Sequence, residues 1–568
     1  MSRHARYIQR LAKSVEWSGK EIETFRRHRK DAINEYLGPY YSGSMAKKKP
    51  LNLLQLTVNI LVRNLVAHNP QVKVYANSSD LNGGAYNLGL ALSEWFRRIG
   101  MKNVLARVAK DAIFSMGIIK MGWGLRGEAP DGSPVARPFI DTVSLDDFIP
   151  DMTAKSLHHC QWYSDGYEVP LEWAQNNPAF NKDVREKLKA WDESENPSVR
   201  RLGRNAKEEE SEYEPRTKLR DVYLASENVV VTYADGQELH HPLNEVDYDK
   251  GEKGPYHFMY FDEVLDCVMP LPKVQLWRDM DEAINKIQRK IVLQAERQKK
   301  FLAVRAGMSK DGKRMNDILD GETKVFDDPD RGVQEKSVGG PDNVMVGLVI
   351  DWIKRYNWLA GNIDAVAGLG PLSETASQDK MMSQAANQVV EDMQDTMMEF
   401  TQEISTSAGE LFWNDAFADL PFLKPVPMAP DVKVAARWTP EMRTGEFTAY
   451  NFEVVPYSMR YESPAAKLNK MLKLVTELMG PLQVYAQQQG VALNVEKVLR
   501  KAGDYLGIKE IDEIITFTQP QELSPQTISR NSSGNGPKRQ YEHINRSVPK
   551  PGAADDQMVQ ELLASPSV

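Results

Sequence analysis

The chain has 568 residues, of which 41 % are hydrophobic and 26 % are charged, and its formal net charge is −8. At about 100–200 residues per domain, this length predicts roughly three or four domains, and the composition is typical of folded proteins. The negative charge disfavours tight wrapping of nucleic acid, because proteins that grip the phosphate backbone are usually basic. Two cysteines cannot build a disulfide framework, and no apolar run reaches the roughly 18 residues of a membrane span. These features predict a soluble intracellular protein.

The first part of the chain alternates between predicted helices and strands. Apolar residues at helical spacing predict helices, whereas period-two alternation predicts strands. The helices are predicted at residues 16–37, ending at Gly38 and Pro39, at 52–70, and as one or two helices at 88–117. The strands are predicted at residues 71–76, at 118–127, around an acidic turn within 138–165, and as a hairpin at 220–243 that turns at Ala234, Asp235 and Gly236.

Long helices dominate the centre of the chain. Residues 273–301 carry apolar side chains at helical period over about eight turns, which is long for a globular helix. Residues 306–343 are rich in Gly, Asp and Lys and predict two short strands. Residues 343–363 predict a second helix, and residues 378–417 a very long one with no breaker before Gly409. Because such helices depend on packing and each lacks a second partner helix in its own chain, neighbouring molecules are expected to supply the partners.

The C-terminal part begins with strand-like alternation beyond Pro421. Residues 463–482 predict a helix with Ser463 as its cap and Pro464 in the first turn. Residues 519–553 are rich in Ser, Pro, Asn and Gly, which predicts a linker or tail.

Two glycine-containing segments invite a phosphate-binding interpretation. "GWGLRG" at residues 122–127 matches a dinucleotide fingerprint, but a loop rather than a helix follows it, so a hairpin turn is the favoured interpretation. "GLGPLSETAS" at residues 368–377 connects two helices and has no lysine where a P-loop requires one. The second segment therefore has the character of a mobile loop rather than a nucleotide site.

Metal and catalytic signals are weak. "HHC" at residues 158–160 lacks the further ligands of a zinc site, and "FDDPDRG" at 326–332 lacks the spacing of a calcium loop. The sequence contains no G-x-S-x-G, no H-E-x-x-H and no catalytic Cys/His signature. We therefore expect a protein that is not an enzyme, with no catalytic residue, no metal and no cofactor.

The long helices carry opposite charges. Residues 378–417 are strongly acidic with Lys380 as the single basic residue, whereas residues 273–301 are rich in Lys and Arg. Two interpretations stay open: solvated helix faces, or a surface near DNA where attraction and repulsion are balanced.

Five strings within roughly residues 50–420 follow one another in a distinctive order and spacing. They are "NILVRNLVAHNPQVKV" (59–74), "KDAIFSMGIIKMGW" (110–123), "PFIDTVSLDDFIPD" (138–151), "DEAINKIQRKIVLQAERQKK" (281–300) and "GLGPLSETASQ" (368–378). Their order and spacing, rather than any single motif, and the order of the predicted elements resemble those of the portal (head-to-tail connector) proteins of tailed double-stranded DNA bacteriophages.

The resemblance implies an α+β, multi-domain portal fold that assembles into a ring, with family names for each part. Residues 1–272 and 418–462 would form the α/β wing, and the helices at 273–302 and 343–363 would form the stem. The remaining parts would be the clip at 303–342, the tunnel loop at 364–377, a long channel-to-wing helix at 378–417, and the crown and C-terminal tail at 463–568.

The resemblance also implies functional residues. The tunnel loop would contact moving DNA, because its glycines allow the backbone to change conformation and its hydroxyl groups can form exchangeable hydrogen bonds with phosphate. Alternatively, Ser377 could cap the long helix, with Lys380 at position N3. The tunnel-loop residues are Gly368, Leu369, Gly370, Pro371, Ser373, Thr375 and Ser377. Candidate basic residues of the channel are Lys286, Lys290, Lys354 and Arg355, for which ordinary exposed helix positions are the alternative. The clip residues, which would contact terminase or adaptor, are Lys310, Lys313, Arg314, Asp327, Asp328 and Arg331.

The implied partners are those of a genome-packaging machine. They are further copies of the chain, expected as a ring of twelve, double-stranded DNA in the channel, the terminase large subunit, the major capsid and scaffold proteins, and a neck or tail adaptor, but no membrane. The implied location is the capsid vertex of the virion, after assembly in the host cytoplasm. Two alternatives are a metal-dependent DNA-processing enzyme that uses Asp327 or Asp146, and an internal scaffold or core protein of the virion.

Overall fold

The computed structural model describes most of the first 459 residues. The described ranges are 8–38, 51–128, 134–190, 214–236, 241–248, 254–304, 333–361, 376–415, 417–426, 429–455 and 458–459, together with the single positions 310, 313 and 317. The chain divides into two compact units, Met1–Glu462 and Ser463–Val568. The second unit, with the predicted crown, its helix at 463–482 and the linker or tail, lies outside the described residues.

Helices and strands are both abundant, which confirms the α+β class. The helices are α1 (Ile8–Leu37), α2 (Leu53–Leu65), α3 (Asn82–Ile99), α4 (Met101–Phe114), α5 (Leu171–Asn176), α6 (Lys182–Arg185), α7 (Lys273–Glu296), α8 (Asn343–Leu359) and α9 (Ala376–Asn414). The strands are β1 (Val72–Ala76), β2 (Gly117–Glu128), β3 (Pro134–Val143), β4 (Phe148–Pro150), β5 (Trp162–Pro170), β6 (Arg216–Leu224), β7 (Val229–Ala234), β8 (Asn244–Asp247), β9 (Tyr256–Met259), β10 (Lys299–Val304), β11 (Val333–Val338), β12 (Leu420–Val426), β13 (Ala429–Trp438) and β14 (Tyr450–Val454).

The predicted helical segment at 88–117 is two helices. Gly100 adopts a left-handed φ of +69° between α3 and α4, and its backbone N–H donates a hydrogen bond to the carbonyls of Phe96 and Arg97. A left-handed residue ends a helix, and glycine adopts this conformation without strain. Both helices then direct apolar residues, including Leu92 and Leu105, into the main core.

The strands form two larger antiparallel sheets and three two-stranded ones. The larger sheets have the orders β4-β5-β6-β7-β8 and β3-β2-β9. The hairpin predicted at 220–243 is displaced: β6 and β7 pair around a turn at residues 225–228, where Asn228 has φ +55°. Ala234 ends β7, and Asp235 and Gly236 begin the longer connection to β8. The sequence pattern therefore predicted correctly that residues 220–234 are mostly strand, but it placed the tight turn at the wrong connection.

Two central helices and a small sheet form a hairpin. α7 leads into β10, β10 pairs antiparallel with β11, and α8 returns along α7. We call α7, β10, β11 and α8 the helical hairpin, and the other described elements the body. The predicted helix at 273–301 was too long at its end, because α7 stops at Glu296 and strand β10 begins at Lys299. Of the two short strands predicted within 306–343, one is β11, and the other stays a prediction because most of residues 305–332 lie outside the described residues.

The chain returns to the body through the long helix α9. Gly409 does not break this helix, which continues to Asn414. A Cβ atom at Gly409 would lie 2.5 Å from the Phe452 ring, so the glycine allows β14 to pack closely against α9. β14 pairs with β1, with Val454 opposite Val72, so strands from the early and late parts of the sequence share one sheet. None of the described helices has the length and apolar character needed to cross a membrane.

Candidate assembly surface on the helical hairpin

The base of the hairpin is anchored in the body by buried polar groups. Asp281 on α7 is fully buried, and its Oδ1 accepts the backbone N–H of Leu53 at 3.1 Å. One turn further along α7, Oδ1 of Asn285 accepts the backbone N–H of Leu51 at 3.2 Å. These contacts give partners to backbone donors at the start of α2, which would otherwise be buried without a partner. They hold α7 against the start of α2.

The returning helix α8 is anchored to the same helix α2. The hydroxyl groups of Tyr356 and Thr57 form a hydrogen bond of 2.9 Å, and both residues are buried. Burial raises the pKa of Tyr356, the bond to Thr57 lowers it, and the nearby charge of Asp281 raises it further. The expectation that α7 and α8 lack partners in their own chain was therefore wrong at the base, where they pack on each other and on α2.

Burial decreases along the hairpin away from this base. No residue of α7 after Asn285 is buried, although every residue of that helix from there to Glu296 is described. Within α8, which is described throughout, only Val349 and Tyr356 are buried. The outer half of the hairpin thus contributes little to the core of its own chain.

Large apolar side chains are nevertheless exposed along both helices. Exposed apolar residues scattered singly are normal, but a group of them on one side of a helix indicates a surface that binds another protein. The exposed fractions are 45 % for Leu276 and 51 % for Leu293, which lie on different sides of α7, and 77 % for Val344, 42 % for Leu348 and 71 % for Trp358, which share one side of α8. The apolar period predicted both helices but not this exposure, because exposure cannot be read from periodicity.

The four candidate basic residues of the channel are all exposed on this hairpin. Lys286 forms an ion pair with Glu282 on the next turn, at 3.0 Å, with side-chain exposures of 63 % and 50 %. Arg355 forms the corresponding pair with Asp351, at 2.9 Å, with exposures of 69 % and 51 %. Lys290 and Lys354 extend the charged rows. Whether any of these residues faces DNA stays a prediction.

The predicted tunnel loop and clip are described only in part. Gly368, Leu369, Gly370, Pro371, Ser373 and Thr375 lie outside the described residues, as do Arg314, Asp327, Asp328 and Arg331. Lys310 and Lys313 are exposed. Ser377 lies inside α9, which already includes Ala376, so the alternative that Ser377 caps this helix was wrong.

Two of the motifs with a nucleotide or metal interpretation lie in described residues, where they make packing contacts. "GWGLRG" lies within strand β2 rather than in a turn, and a Cβ atom at Gly122 or Gly124 would lie 3.3 Å from the ring of Phe139 on the paired strand β3. The thiol of Cys160 is buried and donates to the backbone carbonyls of Asp151 and Ser156. Burial and the charge of Asp151 raise the pKa of Cys160 to about 12, although the hydrogen bond to the Asp151 backbone lowers it. Within the described ranges, no group of three or more His, Cys, Asp or Glu side chains could hold a metal ion.

A buried charged cluster in the body was missed from the sequence. Nζ of Lys120 on β2 lies 2.8 Å from carboxylate oxygens of both Asp165 on β5 and Asp221 on β6, and it therefore ties the three-stranded sheet to the five-stranded sheet. Burial alone would lower the pKa of Lys120, but attraction from Asp221 and Asp165 outweighs this effect and raises it. The hydroxyl of Thr232 also donates to Asp221, at 2.7 Å. The signal in the sequence was a single charged residue inside the apolar run "GIIKMGW".

A scan of models of protein families finds no match to the chain, and a search of curated proteins finds no match either.

Proposed function

We propose that the chain is the subunit of a portal ring of a tailed double-stranded DNA bacteriophage. The ring sits at one capsid vertex of the virion, after assembly in the host cytoplasm, and its central channel conducts the genome. It docks the terminase large subunit during packaging and the neck or tail adaptor afterwards, and it contacts the major capsid and scaffold proteins. Its role is mechanical and architectural rather than catalytic.

The observation that carries this proposal is the helical hairpin. Its base is anchored in the body by buried hydrogen bonds, whereas its outer half exposes apolar side chains on both helices. Two different exposed faces suit a head-to-tail contact, in which one face of each copy meets the other face of the next, and such contacts close into rings. A small β-sheet at the far end of two long helices also agrees with the stem and clip that the resemblance implies.

The parts of the ring follow from this assignment. The body apart from α9 forms the wing, α7 and α8 form the stem, and β10 and β11 begin the clip. The segment between α8 and α9 forms the tunnel loop, and α9 connects the channel wall with the wing. Exposed acidic residues on α9, among them Glu391, Asp392 and Asp395, would limit the adhesion of DNA to the ring.

Neither alternative has comparable support. A metal-dependent enzyme would use Asp146, but the carboxylate of Asp146 lies 3.5 Å from the guanidinium of Arg29, which is buried and also pairs with Asp111 at 2.9 Å. That arrangement is a structural ion-pair network that joins α1 to α4. An internal scaffold protein would also oligomerise, but it would not enclose a channel.

Negative-stain electron microscopy of the purified chain tests the proposal. We expect rings with a central hole at least about 20 Å wide, which is the width that a DNA duplex needs given its groove dimensions. Small particles without a ring, over a range of protein and salt concentrations and also with scaffold protein added, would contradict the portal function. Compact oligomers without a hole would favour the scaffold alternative.

A further inference from the structure

We propose that the outer edge of β13 binds an extended segment of another protein by strand addition, and that acidic residues alternate with apolar ones in this segment. The inference goes beyond the proposed ring, because it concerns a surface of the body and a partner other than a second copy of the chain. It is carried by the backbone of the β12–β13 ribbon, by the exposure of one edge of this ribbon, and by the charges along that edge.

The β12–β13 ribbon is anchored to the body through one of its faces. Leu420 pairs with Trp438 and Phe422 with Ala436, and all four side chains pack in the main core. Residues directly opposite each other share a face of an antiparallel pair, so the intervening residues lie on the other face. On that other face Leu423 is 49 % exposed. The ribbon is therefore a fixed part of the body with one face in water.

Two prolines show which backbone groups of the ribbon point outward. Proline has no N–H, so within an antiparallel pair it occupies a position whose backbone groups point away from the partner strand. Pro421 lies opposite Arg437, and Pro425 lies opposite Lys433. Inward and outward positions alternate along such a pair. Ala435, midway between Lys433 and Arg437, therefore also directs its N–H and C=O outward.

The two edges of the ribbon differ as a consequence. Along β12, two of the three outward positions are prolines, so one N–H is available on that edge. Along β13, the outward positions Lys433, Ala435 and Arg437 each have an N–H, and all three residues are exposed. Among the described strands, β12 alone pairs with β13. Regularly spaced N–H and C=O groups on an exposed edge are a template for a further strand.

The side chains along the open edge determine which strand fits. Lys433 and Arg437 share the outer face, and the Arg437 guanidinium lies 2.8 Å from the Asp419 carboxylate, with side-chain exposures of 70 % and 48 %. Such an exposed pair contributes little to stability, so Arg437 can also bind a second carboxylate. Val434, on the other face, is 55 % exposed. Acidic residues opposite the two cations and an apolar residue opposite Val434 would complement this edge.

Basic residues on an edge strand have an alternative role, which is to prevent pairing between sheet edges. The prolines of β12 already have this effect on the other edge of the ribbon, whereas β13 has no proline among residues 433–438. A protective edge would resist every added strand. The proposed site accepts an acidic strand and rejects a basic one, so the two roles predict different results.

A labelled peptide of about seven residues, a usual strand length, in which glutamate and valine alternate, probes the site. Fluorescence anisotropy with the purified chain should show saturable binding that weakens as salt is added. A matched peptide with lysine in place of glutamate should bind at least about tenfold more weakly, because like charges then face each other. Equal binding of the two peptides, or binding of neither, would overturn the proposal.

Two variants separate the backbone contribution from the charge contribution. Ala435→Pro removes an outward N–H that β12 does not use, so the ribbon should form normally while binding of the acidic peptide is lost. The double variant Lys433→Glu with Arg437→Glu keeps the backbone edge and should bind the lysine peptide in preference to the glutamate peptide. Circular dichroism checks that both variants are folded. Full affinity after Ala435→Pro, or an unchanged preference after charge reversal, would show that the peptide does not add to this edge.

Peptide binding is measured on the purified chain whether or not rings form, so failure of this inference and failure of the proposed function are distinguishable. Mass photometry of the Ala435→Pro variant provides the last comparison. We expect the same oligomers as for the unmodified chain, because the edge serves a different partner. If this variant loses its oligomers and the unmodified chain binds no peptide, a second copy covers the edge and the proposal is wrong.

Discussion

The body and the helical hairpin both contain ion pairs between lysine and carboxylate groups, but these pairs are buried in the body and exposed in the hairpin. In the body, Lys120 lies 2.8 Å from Asp165 and from Asp221, and these three side chains are at most 16 % exposed. In the hairpin, Lys286 lies 3.0 Å from Glu282, but both side chains are at least half exposed. The first cluster joins two sheets of one chain and has no capacity for a partner. The second contributes little to the stability of its own helix.

The contrast extends to apolar residues. The body buries its large apolar side chains in one main cluster that includes Phe96, Leu105 and Ile404. The outer hairpin leaves Leu293, Val344 and others in solvent. The body therefore completes its own core, whereas the outer hairpin depends on neighbouring copies for further burial only in the proposed ring.

The largest loss of stability is expected when the buried cation Lys120 is removed. Lys120→Met leaves Asp165 and Asp221 buried without their shared partner, and breaking a buried ion pair in this way costs roughly 3–5 kcal/mol of unfolding free energy. The matched variant Lys286→Met removes an exposed pair and should cost only about 0.3–0.5 kcal/mol. Urea titration followed by circular dichroism measures both values. Similar losses in the two variants would remove the distinction between body and hairpin.

Substitutions of two helical glycines are expected to change the free energy of unfolding by smaller amounts and in opposite directions. Gly409→Ala in α9 brings a Cβ atom to 2.5 Å from the Phe452 ring, and this overpacking should destabilise the chain by roughly 1–3 kcal/mol. Gly347→Ala in α8 meets no described atom within 4 Å, so its higher helix propensity should stabilise α8 by about 0.5–1 kcal/mol in the unassembled chain. The same titration, performed at low protein concentration, separates the two outcomes. Stabilisation by both substitutions would show that β14 does not pack tightly on α9.

Local sequence patterns predicted most elements of the body and hairpin because the apolar period is a local property. The strand at 71–76, the return helix at 343–363 and the end of α1 before Gly38 all followed from it. Errors arose where two local signals competed. "SEN" before Val229 makes the tight turn between β6 and β7, although the Asp-Gly pair after Ala234 is the stronger turn signal. Lys299 continues a basic helical pattern but begins a strand, because pairing with β11 supplies its hydrogen bonds.

The candidate surface was less predictable than the fold. The sequence places Lys286 and Arg355 on helices, each four residues after an acidic residue, but it does not show that both helices are anchored to α2 at their base. That anchoring depends on Asp281 and Tyr356, which meet the same helix α2 although they are far apart in the chain. The Lys120 cluster was missed for the same reason, since its members come from three separate strands.

Hydrogen–deuterium exchange of the monomeric and assembled chain shows whether neighbouring copies complete the outer hairpin, as we propose. Size-exclusion chromatography separates the two states, and mass spectrometry reports exchange by peptide. We predict strong additional protection of residues 286–296 and 343–355 on assembly, with the backbone of β2, β5 and β6 protected equally in both states. Unchanged exchange in the outer hairpin, with new protection confined to the body, would contradict this role of the hairpin.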